Sequence, residues 1–124
     1  MKKQGVLQHA LAETIARMGH TDLLVIADAG LPVPPGGPCI DLAVRCGLPP
    51  MLDVAAAVVA ELQVEELVVA DELLEALRTL FPDARARHIS HRELKRLSER
   101  ARAVVRTGEC TPYHNVILAS GVTF

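Results

Sequence analysis

Five side chains in this 124-residue chain stand where apolar runs begin or end. His20 lies just before the run Leu23 to Ala27, and Asp28 closes it. His91 follows Ala84 to Ile89, while Tyr113 and Asn115 precede the final run, Val116 to Ser120. Two imidazoles, a carboxylate, a phenol and an amide can hydrogen-bond several hydroxyls at once. An imidazole, whose ordinary pKa is about 6.5, gives or takes a proton near neutral pH. The set therefore fits general acid–base chemistry on a small polyhydroxylated molecule. Nothing in it suits hydride transfer, phosphoryl transfer or a covalent acyl intermediate.

Each residue also has a purely local explanation. His20 would meet the negative end of a helix dipole. Asp28 would close an Asx-turn at a strand exit. His91 would be an ordinary first-turn helix residue. Tyr113 would pack under Pro112, His114 would face solvent, and Asn115 would satisfy loop backbone groups. Spacing alone leaves both readings open.

Other chemistries lack their motifs. The chain has no G-x-x-x-x-G-K-[ST] phosphate loop, no G-x-G-x-x-G turn, no H-E-x-x-H pair and no G-x-S-x-G elbow. His88 and His91 are three apart, but they straddle a strand end and a helix start, and no third ligand is visible, so no metal site is expected. Cys39, Cys46 and Cys110 show no metal spacing; their odd number, with no signal peptide in view, points to a reducing interior. Cys110 reads as a small packing residue. The net charge is −2, and the basic stretch Arg85 to Arg102 is interleaved with Glu93 and Glu99. That is a solvated helix face, so no nucleic-acid partner is expected. Gly5, His9 and Glu13 interrupt any apolar leader, and no run is long enough to span a membrane. The expectation is a soluble, cytoplasmic protein.

These residues need elements to hold them. Leu7, Leu11, Ile15 and Met18 follow helical spacing over residues 7–18, and Gly19 stands where a helix closes. Leu23 to Ala27 reads as a buried strand. "GLPVPPGGP" at 30–38 is a stiff loop, residues 39–44 read as a second strand, and Pro49 or Pro50 opens a helix over 51–62. A strand is expected over 64–70, although Glu65 and Glu66 blur its start. An amphipathic helix follows from Asp71 to Leu80, with Leu73, Leu74, Leu77 and Leu80 on one side, and Pro82 stops it. Ala84 to Ile89 reads as a strand, and Ser90 with Glu93 forms a capping box for a helix to about Arg100. "AVVRTG" and "NVILAS" supply two last strands. The alternation predicts a single three-layer α/β/α domain over 1–124, its central sheet mixed and flanked by helices. Ligands in such sheets sit beyond the strand carboxyl ends. Asp28 and His91 fit that position directly. Tyr113 and Asn115 fit only if the last strand runs in the opposite sense, or if a neighbouring chain supplies them.

One resemblance spans the whole chain. "MKKQGVL", "GHTDLLVIADAGLP" at 19–32, "IDLAV" at 40–44, "RTGECTPYHNVIL" at 106–118 and the closing "GVTF" resemble the ribose pyranase / L-fucose mutarotase family. "DAGLP" and "GECTPY" are closer to its ribose branch than to its fucose branch. The resemblance implies an isomerase that interconverts the β-pyranose and β-furanose forms of D-ribose, without cofactor or metal. It implies His20 as the catalytic group, with Asp28, His91, Tyr113, His114 and Asn115 binding the sugar. It also implies a ring of subunits, usually a decamer, with sites in clefts between neighbours. L-fucose mutarotation and non-catalytic sugar binding are the alternative activities. In relatives a small residue commonly stands between Tyr113 and Asn115; here it is His114.

Overall fold

A computed structural model describes residues 1–70 and 73–124. Asp71, where the third helix is expected to begin, and the side chain of Leu74 lie outside the described residues. The strands are β1 (Leu23–Ala27), β2 (Cys39–Asp41), β3 (Val64–Val69), β4 (Arg85–His88), β5 (Ala103–Arg106) and β6 (Val116–Ser120). The helices are α1 (His9–Arg17), α2 (Met51–Val59), α3 (Leu74–Leu80) and α4 (His91–Ser98). All six strands form one sheet in the order β2-β5-β1-β6-β3-β4. β1, β2 and β5 are mutually parallel, as are β3 and β4, while β6 runs antiparallel to both of its neighbours. Five strands therefore point one way and β6 points the other. The sheet is mixed, as expected.

Period-two alternation sorts the strand side chains onto two faces. Leu24 and Ile26 of β1, Leu67 and Val69 of β3, and Val116 and Leu118 of β6 join the core under α1, α2 and α3. Val25, Val68 and Ile117 point the other way, into a smaller core with Leu94 of α4. Burying each such aliphatic side chain stabilises the fold by roughly 1.5–3 kcal/mol. Charges guard one sheet edge: every residue of β4 is exposed, and Arg85 and Arg87 pair with Glu66 across to β3.

Most boundaries draw in by a few residues. α1 starts at His9 because the Gln8 side chain accepts from Leu11 N at 2.6 Å and caps it. Leu7 is thereby left exposed outside the helix. Met18 is the C-cap, and the left-handed residue after it is Thr21 (φ 69°) rather than Gly19. β2 ends at Asp41, whose carboxylate accepts from Ala43 N at 3.0 Å in a turn. Pro50 is the N-cap of α2. The Ser90–Glu93 capping box is present with both of its hydrogen bonds.

The cysteines depart from the reading of Cys110 as a packing residue. Cys46 and Cys110 form a disulfide across a sequence separation of 64, with Cα atoms 5.7 Å apart. The turn at 45–49 lies flat on the segment after β5: Gly47 N donates to Gly108 O at 2.6 Å, and Gly108 N to Pro49 O at 2.9 Å. A Cβ on Gly108 would overlap the carbonyl oxygens of Leu48 and Arg45, so only glycine permits this approach. Cys39 remains a free, exposed thiol.

The turn carrying His20 is held from three sides. Thr21 N donates to Ser120 O at 2.8 Å, and Ser120 N to Asp22 O at 2.9 Å. Asp22 Oδ2 accepts from Gly19 N at 2.8 Å and faces Arg102 Nε at 3.1 Å. The Gly19 N–H, with Arg102 beside it, holds the Asp22 carboxyl below its ordinary pKa.

Two stability outcomes follow. Leu67→Ala, which empties part of the core on the α1–α3 face, lowers unfolding free energy by roughly 2–5 kcal/mol in urea titrations. Because the folded Asp22 pKa is depressed, its contribution is complete above the ordinary carboxyl value of 3.8 and drains away as pH falls through the folded value. Asp22→Asn is therefore less stable than the parent at pH 6, and the gap closes as urea titrations are taken to pH 3.

Candidate active site

The reversal of β6 builds the site. Its entrance lies at the same sheet edge as the exit of β1, so Asn115 meets Asp28. The contact is reciprocal: Asp28 N donates to Asn115 Oδ1 at 2.8 Å, and Asn115 Nδ2 donates to Asp28 Oδ2 at 2.9 Å. The Asn115 amide is fully buried. Gly30 N donates to Asp28 Oδ1 at 2.9 Å, so the Asx-turn expected from sequence exists as well. The carboxylate thus accepts two hydrogen bonds, from Asn115 Nδ2 and Gly30 N, and the Asp28 backbone N–H adds a third link, to Asn115 Oδ1.

Tyr113 sits at φ 66°, a left-handed conformation that costs a non-glycine residue of order 1–3 kcal/mol. The tight turn that follows, with Asn115 N donating to Tyr113 O at 2.9 Å, leaves the phenol ring half exposed. The ring stands edge-on to His91, with centroids 4.5 Å apart and planes at 83°. His91 is the first residue of α4, placed there by the Ser90 cap. Its Nδ1 is buried and has no hydrogen-bond partner among the described residues. An orphaned buried nitrogen of this kind is stabilised when a ligand hydroxyl reaches it.

These groups line a cleft of about 530 Å³ walled by residues 28–32 and 109–113, with His91, Lys95 and Asn115. Lys95 and Glu109 escaped the sequence reading. Lys95 lies one helical turn beyond His91, and that i, i+4 spacing was the available signal. Glu109 gave none, because its partners are distant in sequence. Its Oε2 accepts from Met51 N at 3.2 Å and its Oε1 from Thr111 N at 3.1 Å. Burial pushes the Glu109 carboxyl up, but the Thr111 hydroxyl, the Thr111 and Met51 N–H groups and the nearby His114 outweigh it and hold the carboxyl below its ordinary value. His114 is half-buried and is not part of the cleft wall.

His20 lies elsewhere. It precedes β1, whereas Asp28 follows it, and a strand of five residues spans about 17 Å. The His20 side chain is 53% exposed, and its Nε2 sits 3.0 Å from Glu65 Oε2. Asp28, His91, Tyr113 and Asn115 therefore converge within one chain, whereas His20 and the His114 side chain do not join them. Among the described residues no group of three or more His, Cys, Asp or Glu is arranged to hold a metal, and no helix is long and apolar enough to cross a membrane.

Comparison with known proteins accounts for the whole chain. The family model described as the RbsD / FucU transport protein family matches residues 1–123. A D-ribose pyranase of Symbiobacterium thermophilum is 54% identical over 131 residues, and one of Paracidovorax citrulli is 52% identical over 130, with both chains covered in full in each case. The solved structure of Bacillus subtilis RbsD complexed with D-ribose superposes at a TM-score of 0.94 and 46% identity over the full length of both chains. The fucose mutarotase of Streptococcus pneumoniae, solved in complex with L-fucose, shares the fold at 19% identity and a TM-score of 0.81, covering 99% of this chain and 100% of that one. The chain belongs to the RbsD / FucU family.

Proposed function

We propose that this chain is an isomerase that interconverts the β-pyranose and β-furanose forms of D-ribose. The observation that carries the reading is the cleft at the carboxyl edge of the sheet. It presents a fixed carboxylate, a phenol and an imidazole with an unpartnered nitrogen, in a chain superposable end to end on a ribose-bound relative. In this reading Asp28 holds a sugar hydroxyl, His91 and Tyr113 take others, and Asn115 keeps Asp28 in place. His114 contributes through its backbone, since its side chain stands apart from the cleft wall.

His20 is the acid–base group, and it reaches the sugar from a neighbouring copy of the chain. That arrangement suits a ring of subunits, the decamer of the family, in which the amino-edge turn of one copy meets the carboxyl-edge cleft of the next. The chemistry is a proton relay. The imidazole takes the anomeric hydroxyl proton and returns it to the ring oxygen as the ring C–O bond breaks. The open aldehyde is then attacked by the 4-hydroxyl, and the reverse relay closes the furanose. One acid–base group of this kind supplies roughly 10² to 10⁴-fold. No electron or group leaves the sugar, so the step balances with these residues alone.

Three measurements test this reading. Saturation-transfer NMR on ribose should show catalysed ring exchange that disappears in His20→Ala while ribose still binds; undiminished exchange in that variant removes His20 from the mechanism, and exchange of L-fucose in preference to ribose moves the substrate to the fucose branch. Asn115→Ala leaves Asp28 N unpaired and the carboxylate held by Gly30 N alone, and should weaken ribose binding roughly 10- to 100-fold, equivalent to about 1.4–2.8 kcal/mol. Mixing inactive His20→Ala and Asp28→Asn chains under conditions of subunit exchange should restore activity at about a quarter of the interfaces, since a site shared between copies then regains both groups. No recovery after verified exchange places the whole site within one chain.

A further inference from the structure

We propose that Glu65 is the positioning residue for His20: it binds Nε2 of the imidazole and leaves Nδ1 as the nitrogen that meets the sugar. The inference rests on the assignment of His20 as the acid–base group. Its basis is the way β3 begins. Val64 pairs with Ser120 and Glu66 with Ala119, so two steps along β3 oppose one step along β6, and Glu65 is the extra residue of a β-bulge. Side chains confirm the break in alternation. Val64 and Leu67 are three apart, yet both enter the core beneath α1, α2 and α3. A regular strand would send them to opposite faces. Bulges re-aim single side chains and recur beside active sites.

The bulge is closely backed. Gly121 N donates to Gln63 O at 2.9 Å. A Cβ on Gly121 would meet the Glu65 Cβ at 3.1 Å, so the chain leaving β6 lies against the displaced residue. The neighbouring carboxylates are otherwise engaged: Glu66 holds Arg85 and Arg87, and Asp22 holds Gly19 N and Arg102. Glu65 is different, since its carboxylate contacts only His20 among the described residues, at 3.0 Å.

A neutral imidazole carries one N–H. When Nε2–H donates to the Glu65 carboxylate, the lone pair is on Nδ1. The anomeric O–H bond then breaks as Nδ1–H forms, and Nδ1–H breaks as the ring oxygen gains its proton and the ring C–O bond opens. Between those events the imidazolium faces the Glu65 carboxylate. Carboxylates that orient metal-bound imidazoles through the same hydrogen bond typically govern about 10- to 100-fold in activity, and the same order is expected of Glu65.

The test uses the full-length assembled protein and three variants, Glu65→Gln, Glu65→Asp and His20→Ala. Glu65→Gln should lower kcat for ribose exchange about 10- to 100-fold, with KM and the mass of the assembly unchanged, and Glu65→Asp should recover part of the loss. Ring ¹⁵N shifts of neutral His20 should show Nε2 protonated in the parent and a mixture of tautomers in Glu65→Gln. Parental kcat in Glu65→Gln, or an unchanged ¹⁵N pattern, overturns the role of Glu65 if His20→Ala is inactive. Full activity in His20→Ala overturns the assignment of His20 and the role of Glu65 with it.

Discussion

The antiparallel placement of β6 between β1 and β3 is the constraint on which the rest of this structure depends. In a fully parallel sheet the carboxyl edge is made only of strand exits. Here one strand enters from that edge, so Tyr113 and Asn115 arrive beside Asp28 and His91. The same strand leaves at the amino edge, where Ser120 exchanges hydrogen bonds with the turn that carries His20. One buried strand thus sets the position of the cleft at one edge and of the His20 imidazole at the other.

Packing makes that placement rigid. Val116 and Leu118 face one core and Ile117 the other, and all three are fully buried. A slip of one residue would turn every side chain of β6 to the wrong face. The register of Asn115 against Asp28 is therefore enforced by hydrophobic burial rather than by the two hydrogen bonds that join them. The bulge at Glu65 shows the complementary case. There the sheet absorbs one extra residue at the start of β3, and Leu67 and Val69 keep their places in the core.

What was legible in the sequence is what local patterns encode. Apolar runs marked β1, β3, β5 and β6, and Ser90 with Glu93 marked the start of α4. The identity of the cleft groups was legible because they punctuate those runs. Strand direction was not, because it depends on pairing partners: Asn115 beside Asp28 is a contact across 87 residues. The same holds for Cys46 with Cys110, for Asp22 with Arg102 and for Glu109 at the start of α2. The blurred start of the third strand was a real signal. "VEEL" breaks period-two alternation because the strand itself is bulged there.

The separation of His20 from the cleft has a consequence for assembly. Two ends of one rigid strand cannot be brought together by a hinge, because bending β1 would break pairing with both β5 and β6. A site that uses both groups must therefore be made between copies. The turn with His20 and the cleft with Asp28 are different surfaces of the chain, and contacts between unlike surfaces propagate around a closed ring until every copy has both given and received. In such a ring no site is left incomplete. On the proposed assignment, an isolated chain would hold the cleft groups without His20, so catalysis and assembly would be coupled through the geometry of one sheet.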